Sequence, residues 1–202
     1  VPDNTDPLNV SLGNPYLESY FTHNMRGTFR FTNRTTFTSV NAQLGGNFVQ
    51  DAITNAQWYD QSGAQYSIPV NGPGTGSANA SIMVNSPIAK SDFSIMSNTS
   101  ARYNQSVSYI ATGTLDSDMY YDPDNAEFNY ALFHKDYPSL GDSDAFLTNK
   151  IRSLNVTEML RLTYRNDFVE LVAGGRTNVS KSWYTMKSAN VNTTWNNNVS
   201  FE

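Results

Sequence analysis

The feature of this sequence that most constrains its fold is an alternation of apolar and polar side chains over long stretches. Phe21, Met25, Phe29 and Phe31 fall on alternate positions of residues 21–32, and asparagine, arginine and threonine fall on the positions of opposite parity. Successive side chains of a β-strand point to opposite faces, whereas a helix groups residues three and four apart. The alternation therefore predicts a long strand with one apolar face and one polar face.

The same pattern returns along the chain and predicts a series of further strands. Residues 36–49 repeat it, with Leu44 and Phe48 on the apolar side. The other predicted strands cover residues 52–59, 65–70, 77–85, 92–110, 154–165, 168–174, 183–187 and 191–201. Turn-forming residues separate them, and Gly63 is expected at a positive φ. We predict an all-β fold, with residues 1–202 forming a single antiparallel up-and-down meander of long strands, as in a barrel wall or a broad sheet.

Residues 111–147 lack the alternation and are predicted to form a long irregular loop rich in aspartate and tyrosine. Asp116, Asp118, Asp122 and Asp124 place carboxylates at spacings similar to those of a calcium loop. The turn glycine and the final glutamate of an EF-hand are missing from this stretch. A solvated acidic loop is therefore the preferred interpretation, and no metal site is predicted.

The charge and composition of the chain exclude several classes of protein. There are 13 Lys and Arg residues against 18 Asp and Glu residues, a balance that does not suit nucleic-acid binding. The chain has no cysteine, which excludes disulfides, thiolate nucleophiles and cysteine-bound zinc. No run of 18 apolar residues is present, so no transmembrane helix is predicted.

The two histidines give no catalytic constellation. His23 shares the face of Phe21 and Met25 and is predicted to be a packed or interfacial residue, and His134 is predicted to lie in the acidic loop. The sequence has no zinc-protease, nucleophile-elbow, P-loop or dinucleotide-binding motif. We therefore predict no catalytic, cofactor-binding or metal-binding residues and expect that the protein is not an enzyme. The ligand-binding residues stay undefined.

Five aromatic residues have three alternative interpretations. A set of Trp and Tyr residues at strand ends is typical of a membrane-interface girdle. Exposed aromatic rings also stack on sugars. Each of these residues is equally suited to packing in a sheet core. These residues are Trp58, Tyr59, Trp183, Tyr184 and Trp195.

Several short segments, taken in order, resemble the barrel strands of TonB-dependent-receptor-like outer-membrane proteins of Bacteroidetes. Residues 14–25, with Asn14-Pro15-Tyr16-Leu17 followed by Phe21-Thr22-His23-Asn24-Met25, resemble the entry into that barrel. Residues 58–63 and 70–72 resemble an extracellular hairpin, and residues 85–95 resemble an "N-x-P-I…F" hairpin. Residues 160–167 with 174–176 resemble a later strand pair. The resemblance covers most of the chain but not the regulatory and plug domains of the family.

The resemblance implies a bacterial outer-membrane β-barrel, or a segment of one, that takes part in TonB-dependent-type nutrient uptake at the cell surface. It implies contact with outer-membrane lipid and a surface lipoprotein or a nutrient such as a glycan or a peptide as partner. A barrel of that family needs about twice as many strands as 202 residues supply, so either the chain is an excerpt or the resemblance is limited to hairpins. The alternative function is that of a soluble extracellular β-sandwich, an adhesin or glycan-binding module, which the mean hydropathy of -0.48 favours.

Overall fold

The computed structural model describes residues 8–88, 91–121, 127–186 and 192–201. The chain forms two compact units: unit 1 comprises residues 1–22, 49–75 and 106–150, and unit 2 comprises residues 23–48, 76–105 and 151–202. The strands are β1 (Asn9–Ser11), β2 (Phe21–Asn33), β3 (Thr38–Gln50), β4 (Ile53–Tyr59), β5 (Gln65–Asn71), β6 (Thr75–Pro87), β7 (Phe93–Thr114), β8 (Phe146–Arg165), β9 (Glu170–Tyr184) and β10 (Asn192–Phe201). The helix α1 spans Tyr130–Asp136, and short 3-10 turns span Ser117–Tyr120 and Leu140–Asp142.

Unit 2 is a sheet of seven neighbouring strands in the order β2-β3-β6-β7-β8-β9-β10. The pairs β6–β7, β8–β9 and β9–β10 are antiparallel, and each keeps an unbroken register over ten or more residue pairs. Paired contacts indicate the same direction for β3 against its neighbours, because residue numbers rise on one strand as they fall on the other. Asn47 donates to Asn24 of β2 while Leu44 lies against Gly27, and Thr38 bonds to Ser86 of β6 while Gly45 lies against Asn79. The predicted antiparallel arrangement of long strands is confirmed in this unit.

Three short turns connect strands at one edge of the unit 2 sheet, because alternate connections of an antiparallel sheet lie at the same edge. Their described residues are 34–37, 88, 91–92 and 166–169. In two of them an asparagine side chain takes the place of a backbone carbonyl: Asn33 accepts from the amides of Thr35 and Thr36, and Asn166 accepts from the amides of Phe168 and Val169. This local bonding favours a tight reversal.

The alternation in sequence gives the unit 2 sheet two distinct faces. One, the apolar face, carries large side chains that are exposed. In β2 these are Phe21, Met25, Phe29 and Phe31, which are 49–64% exposed. Leu44 and Phe48 of β3 and Leu160 and Leu162 of β8 are also exposed. The other, the polar face, carries the asparagine, glutamine, serine, threonine and arginine residues of the alternate positions. A β-sandwich buries its apolar face against a second sheet, whereas this one is open to its surroundings.

Unit 1 contains the hairpin of β4 and β5, whose tight turn follows the predicted glycine pattern. Gly63 adopts φ +87°, as expected. Asp60 accepts bonds from the Ser62 hydroxyl (2.7 Å) and the Ala64 amide (2.9 Å). Burial alone raises the pKa of Asp60, but these bonds outweigh it, so the pKa of Asp60 lies below its usual value. The turn thus holds its own carboxylate in the charged form.

Two strand pairs in unit 1 are parallel, which the predicted up-and-down meander does not contain. β1 runs parallel to β5, and β4 runs parallel to the last residues of β7. Parallel strands are usually buried on both faces, whereas β4 and β5 bury only the alternate residues that face the core. Alternation reports which face is apolar but carries no information on strand direction.

An aromatic core holds unit 1 together around Trp58, whose side chain is 1% exposed. The indole stacks on Tyr66 and Phe133 with ring centroids 5.5 and 5.4 Å apart. Its N–H donates to the hydroxyl of buried Ser117 at 2.9 Å, so the polar edge of the ring is satisfied. Burial also raises the pKa of Tyr121, to about 12. Rings of this size contribute most of the apolar area of a core.

The segment predicted as an irregular loop, 111–147, is the main source of this core. β7 continues to Thr114 and β8 begins at Phe146, eight residues before its predicted start. Between them, Tyr120, Phe128, Phe133 and Leu140 are buried. These apolar residues have neither helical nor strand periodicity, because two short 3-10 turns and a seven-residue helix place them one at a time.

A second correction concerns the region predicted as separate strands at 168–174 and 183–187. The structure has a single strand there, β9, and residue 187 lies outside the described residues. The predicted first strand ended at Gly174. In the sheet, however, a Cβ added at Gly174 would lie 3.1 Å from the Ser200 hydroxyl, so glycine permits close packing of the neighbouring strand instead of ending β9.

The apolar face of unit 2 contains one half-buried carboxylate. Glu158 of β8 lies on the same face as Leu160 and Leu162, and both of its carboxylate oxygens accept bonds from β7. The Ser97 hydroxyl donates to one at 2.8 Å, and the Thr99 hydroxyl donates to the other. Burying a polar group costs free energy unless it is hydrogen-bonded. The two hydroxyls therefore lower the free-energy cost of placing the Glu158 carboxylate on this face.

We predict that the variant Ser97→Ala/Thr99→Ala lowers the unfolding free energy of the full-length protein by about 1–3 kcal/mol, because the carboxylate of Glu158 loses both donors. Adding Glu158→Leu to this variant should recover most of the loss, since removing all partners leaves no unsatisfied group. Urea unfolding in detergent micelles measures both. Ser100→Ala, on the polar face of the same strand, is the matched control. A double variant as stable as the parent would contradict this role of the hydroxyls.

Candidate functional site

The polar face of unit 2 carries a concentration of exposed arginines. They are Arg26, Arg30, Arg102, Arg161, Arg165 and Arg176. Their placement follows from register: Arg102 lies opposite Asn79, and Arg176 lies opposite Met159 and Asn198. Among the described residues of this face, Glu170 is the one acid, and it pairs with Arg165 at 2.5 Å. The face therefore carries an excess of positive charge.

A groove of about 510 Å³ crosses β2, β3 and β6 on this face, and we refer to it as the polar groove. Its polar lining consists of one arginine, four side-chain amides and a serine: Arg26, Asn24, Gln43, Asn47, Asn79 and Ser77. Met25, Leu44, Gly45 and Gly46 complete it. The Asn47 amide donates to the Asn24 carbonyl at 2.8 Å, which fixes the orientation of two of the amides relative to each other.

Gly45 leaves room for the Asn79 side chain in the lining of the polar groove. A Cβ at position 45 would be 2.7 Å from the Asn79 Oδ1 atom and 3.2 Å from its Nδ2 atom. Real Cβ atoms do not approach so closely, so any other residue at position 45 displaces the amide. The glycine thus determines the position of one of the hydrogen-bonding amides of the groove.

The polar groove presents groups that suit the binding of a polar solute. A guanidinium group presents a planar set of N–H donors suited to carboxylate or phosphate, and side-chain amides both donate and accept. Within residues 8–88, 91–121, 127–186 and 192–201, no group of three or more His, Cys, Asp or Glu side chains is placed to hold a metal ion. The groove can bind a polar solute through several hydrogen bonds at once.

The structure places the two histidines on different elements. His23 lies exposed on β2, and its ring stacks on Phe48 of β3 with ring centroids 6.2 Å apart. His134 was predicted in a loop but lies on α1, where its ring stacks on Tyr16 at 5.0 Å. The helix begins there because the Asn129 side chain accepts a bond from the Leu132 amide.

The aspartates predicted as an acidic loop are only partly described. Asp116 and Asp118 flank and enter the first 3-10 turn, whereas Asp122 and Asp124 lie outside the described residues. Asp118 is not part of a described metal-binding group.

The five aromatic residues divide between core and surface. Trp58 belongs to the core of unit 1. Tyr59, Tyr184 and Trp195 are 54%, 38% and 68% exposed, and Trp183 is half-buried with the Lys181 ammonium 5.2 Å from its ring. The core interpretation is thus confirmed for Trp58, and the girdle and sugar-stacking interpretations stay open for the others.

Sequence reasoning did not single out any residue of the polar groove. The alternation in β2 and β3 assigned Asn24, Arg26 and Gln43 to a polar face. It did not predict that β6 lies beside β3, because 24 residues separate the two strands in the chain. The unusual signal at this position is Gly45-Gly46, in the middle of a strand that otherwise alternates.

We predict that Gly45→Ala displaces the Asn79 amide, because the new Cβ needs the space that Oδ1 occupies. The unfolding free energy should change by less than about 1 kcal/mol, since a side-chain end can move. The reaction rate of a cysteine introduced by Ser77→Cys with a neutral thiol reagent reports the shape of the groove. Gly45→Ala should change this rate, and adding Asn79→Ala should restore it. Gly27→Ala is the matched control, since its Cβ would meet only Leu44 at 4.0 Å. An equal effect of the two glycine substitutions would contradict the prediction.

None of the described helices has the length and apolarity needed to cross a membrane. No curated protein and no solved structure matches the chain. The model of the outer membrane protein beta-barrel family matches residues 1–137, which is more than half of the 202 residues. Together with the long antiparallel strands and their two contrasting faces, this match shows that the chain belongs to the outer membrane protein β-barrel family and is located in the outer membrane.

Proposed function

We propose that the chain forms part of the wall of an outer-membrane β-barrel that takes up a nutrient by a TonB-dependent mechanism. The observation that carries the proposal is the polar groove on the polar face of unit 2. In an outer-membrane barrel the apolar side chains contact lipid and the polar side chains face the lumen. A lumenal groove lined by Arg26 and four amides lies on the path of a transported solute. The protein acts here as a transporter, without catalysing a reaction.

The apolar face supports the lipid contact that this proposal requires. The side chains of four residues of this face are 49–64% exposed in spite of their size: Phe21, Met25, Phe29 and Phe31. Exposed rings on one face of several neighbouring strands are costly in water, at about 25 cal/mol for each Å² of apolar surface, but not in the hydrocarbon of a bilayer.

The lengths of the connections support one orientation in the membrane. Bacterial outer-membrane barrels have short periplasmic turns and longer extracellular loops. The three short turns at 34–37, 88–92 and 166–169 are therefore assigned to the periplasmic side. The longer connections, above all residues 115–145, are assigned to the extracellular side, where they would select the nutrient or contact a surface lipoprotein. A glycan or a peptide is the class of nutrient that the resemblance suggests.

Energised uptake tests the proposal directly. A strain that lacks the gene would be complemented with the full-length protein and supplied with two isotope-labelled probes, a casein hydrolysate and an oligosaccharide mixture. We predict accumulation of one probe, loss of accumulation on adding a protonophore, and a roughly tenfold reduction in Arg26→Gln, which is the loss of one charge-assisted hydrogen bond. Arg34→Gln, in a short turn, is the matched control.

Two results would contradict the proposal. One is uptake that persists after the proton-motive force is abolished, because TonB-dependent transport needs that energy. The other is an equal reduction of uptake in Arg26→Gln and Arg34→Gln, because the arginine of the groove would then have no special part in recognition. Surface labelling of intact cells confirms that the variants reach the outer membrane in equal amounts.

A further inference from the structure

We infer that the polar groove recognises an anionic group, a carboxylate or a phosphate, on its solute. This inference rests on the proposed function in one respect, namely that the polar face lines a solute path, and it names the chemical class of the solute. The inference begins with the distribution of charge. The whole chain is acidic, with a net charge of -5, yet unit 2 contains 11 Lys and Arg residues against 5 Asp and Glu residues.

The acids of unit 2 do not neutralise the polar face. Asp92 and Asp167 lie in the short turns, Glu158 lies on the apolar face, and Glu202 lies outside the described residues. The remaining acid, Glu170, is bound by Arg165 through two hydrogen bonds of 2.5 and 3.0 Å at the end of the sheet. Within the described part of the polar face, no carboxylate lines the polar groove or competes there for the guanidinium of Arg26.

The composition of the polar groove matches an anion that also carries neutral polar groups. The guanidinium of Arg26 offers a two-pronged contact to a carboxylate or phosphate, which is stronger than a bond between neutral groups. The side chains of Asn47 and Asn79 can bind hydroxyls or peptide groups of the same solute. A cationic solute finds no acid in this lining and meets the charge of Arg26 instead. The positive charge of the groove thus favours anionic over cationic solutes, whatever their shape.

The electrostatic potential in the groove can be measured at a single introduced cysteine, because this chain contains no cysteine of its own. Ser77→Cys places a thiol in the lining of the groove, and its rate of modification is measured in the full-length protein in detergent, with any cysteine elsewhere in that protein replaced. The reagents are a negatively charged and a positively charged methanethiosulfonate of similar size. The inference predicts that Arg26→Gln lowers the ratio of the negative to the positive reagent's rate about tenfold, since local protein fields amount to several kT. Arg34→Gln should leave the ratio unchanged.

Protection of the same thiol tests binding itself. Inorganic phosphate and citrate should slow its modification by a neutral thiol reagent, while glucose and matched sodium chloride should not, and Arg26→Gln should abolish the protection. Protection by glucose alone, or protection that survives Arg26→Gln, would overturn the inference, as would a reagent ratio that does not respond to Arg26→Gln. These measurements need no energised membrane, so failure of TonB-dependent uptake and failure of anion recognition are seen separately.

Discussion

The register between neighbouring strands is the constraint on which the rest of unit 2 depends. Side chains alternate with a period of two, so a slip of one residue in the pairing of β2 would move its polar-face arginines to the apolar face and its phenylalanines to the polar face. The unbroken registers of β6–β7, β8–β9 and β9–β10 prevent this, and the turn at 166–169, which the Asn166 side chain stabilises, favours the register of β8–β9 locally. In hydrocarbon, backbone groups must also pair within the sheet, because no water is present to replace a lost partner.

Unit 1 differs from unit 2 because its aromatic residues are buried in a core around Trp58. The two units also differ in charge: unit 1 has 13 Asp and Glu residues against 2 lysines, the reverse of the balance in unit 2. Charges act over about 8–10 Å at physiological ionic strength, so the field in the polar groove is set by nearby side chains, above all Arg26, and not by the net charge of the chain.

Much of the fold follows from the sequence because long strands with alternating side chains have few alternatives. β2, β3, β5 and β6 begin and end within about two residues of their predicted limits. The core of unit 1 could not be predicted in the same way, because Tyr120, Phe128 and Phe133 are collected from irregular segments. The polar groove could not be predicted from the sequence either. Alternation identifies its residues as polar positions, but only the pairing of β3 with β6 brings Asn79 beside Gly45.

The central claim is that the apolar face of unit 2 contacts lipid and the polar face contacts water. Spin labels attached at consecutive positions of β2, through Thr28→Cys, Phe29→Cys, Arg30→Cys and Phe31→Cys, test it in the full-length protein in liposomes. We predict that labels at 29 and 31 collide with oxygen dissolved in the bilayer, and that labels at 28 and 30 collide with a water-soluble nickel chelate. Equal access of the nickel chelate to all four positions would show that this strand does not line a membrane, and would contradict the claim.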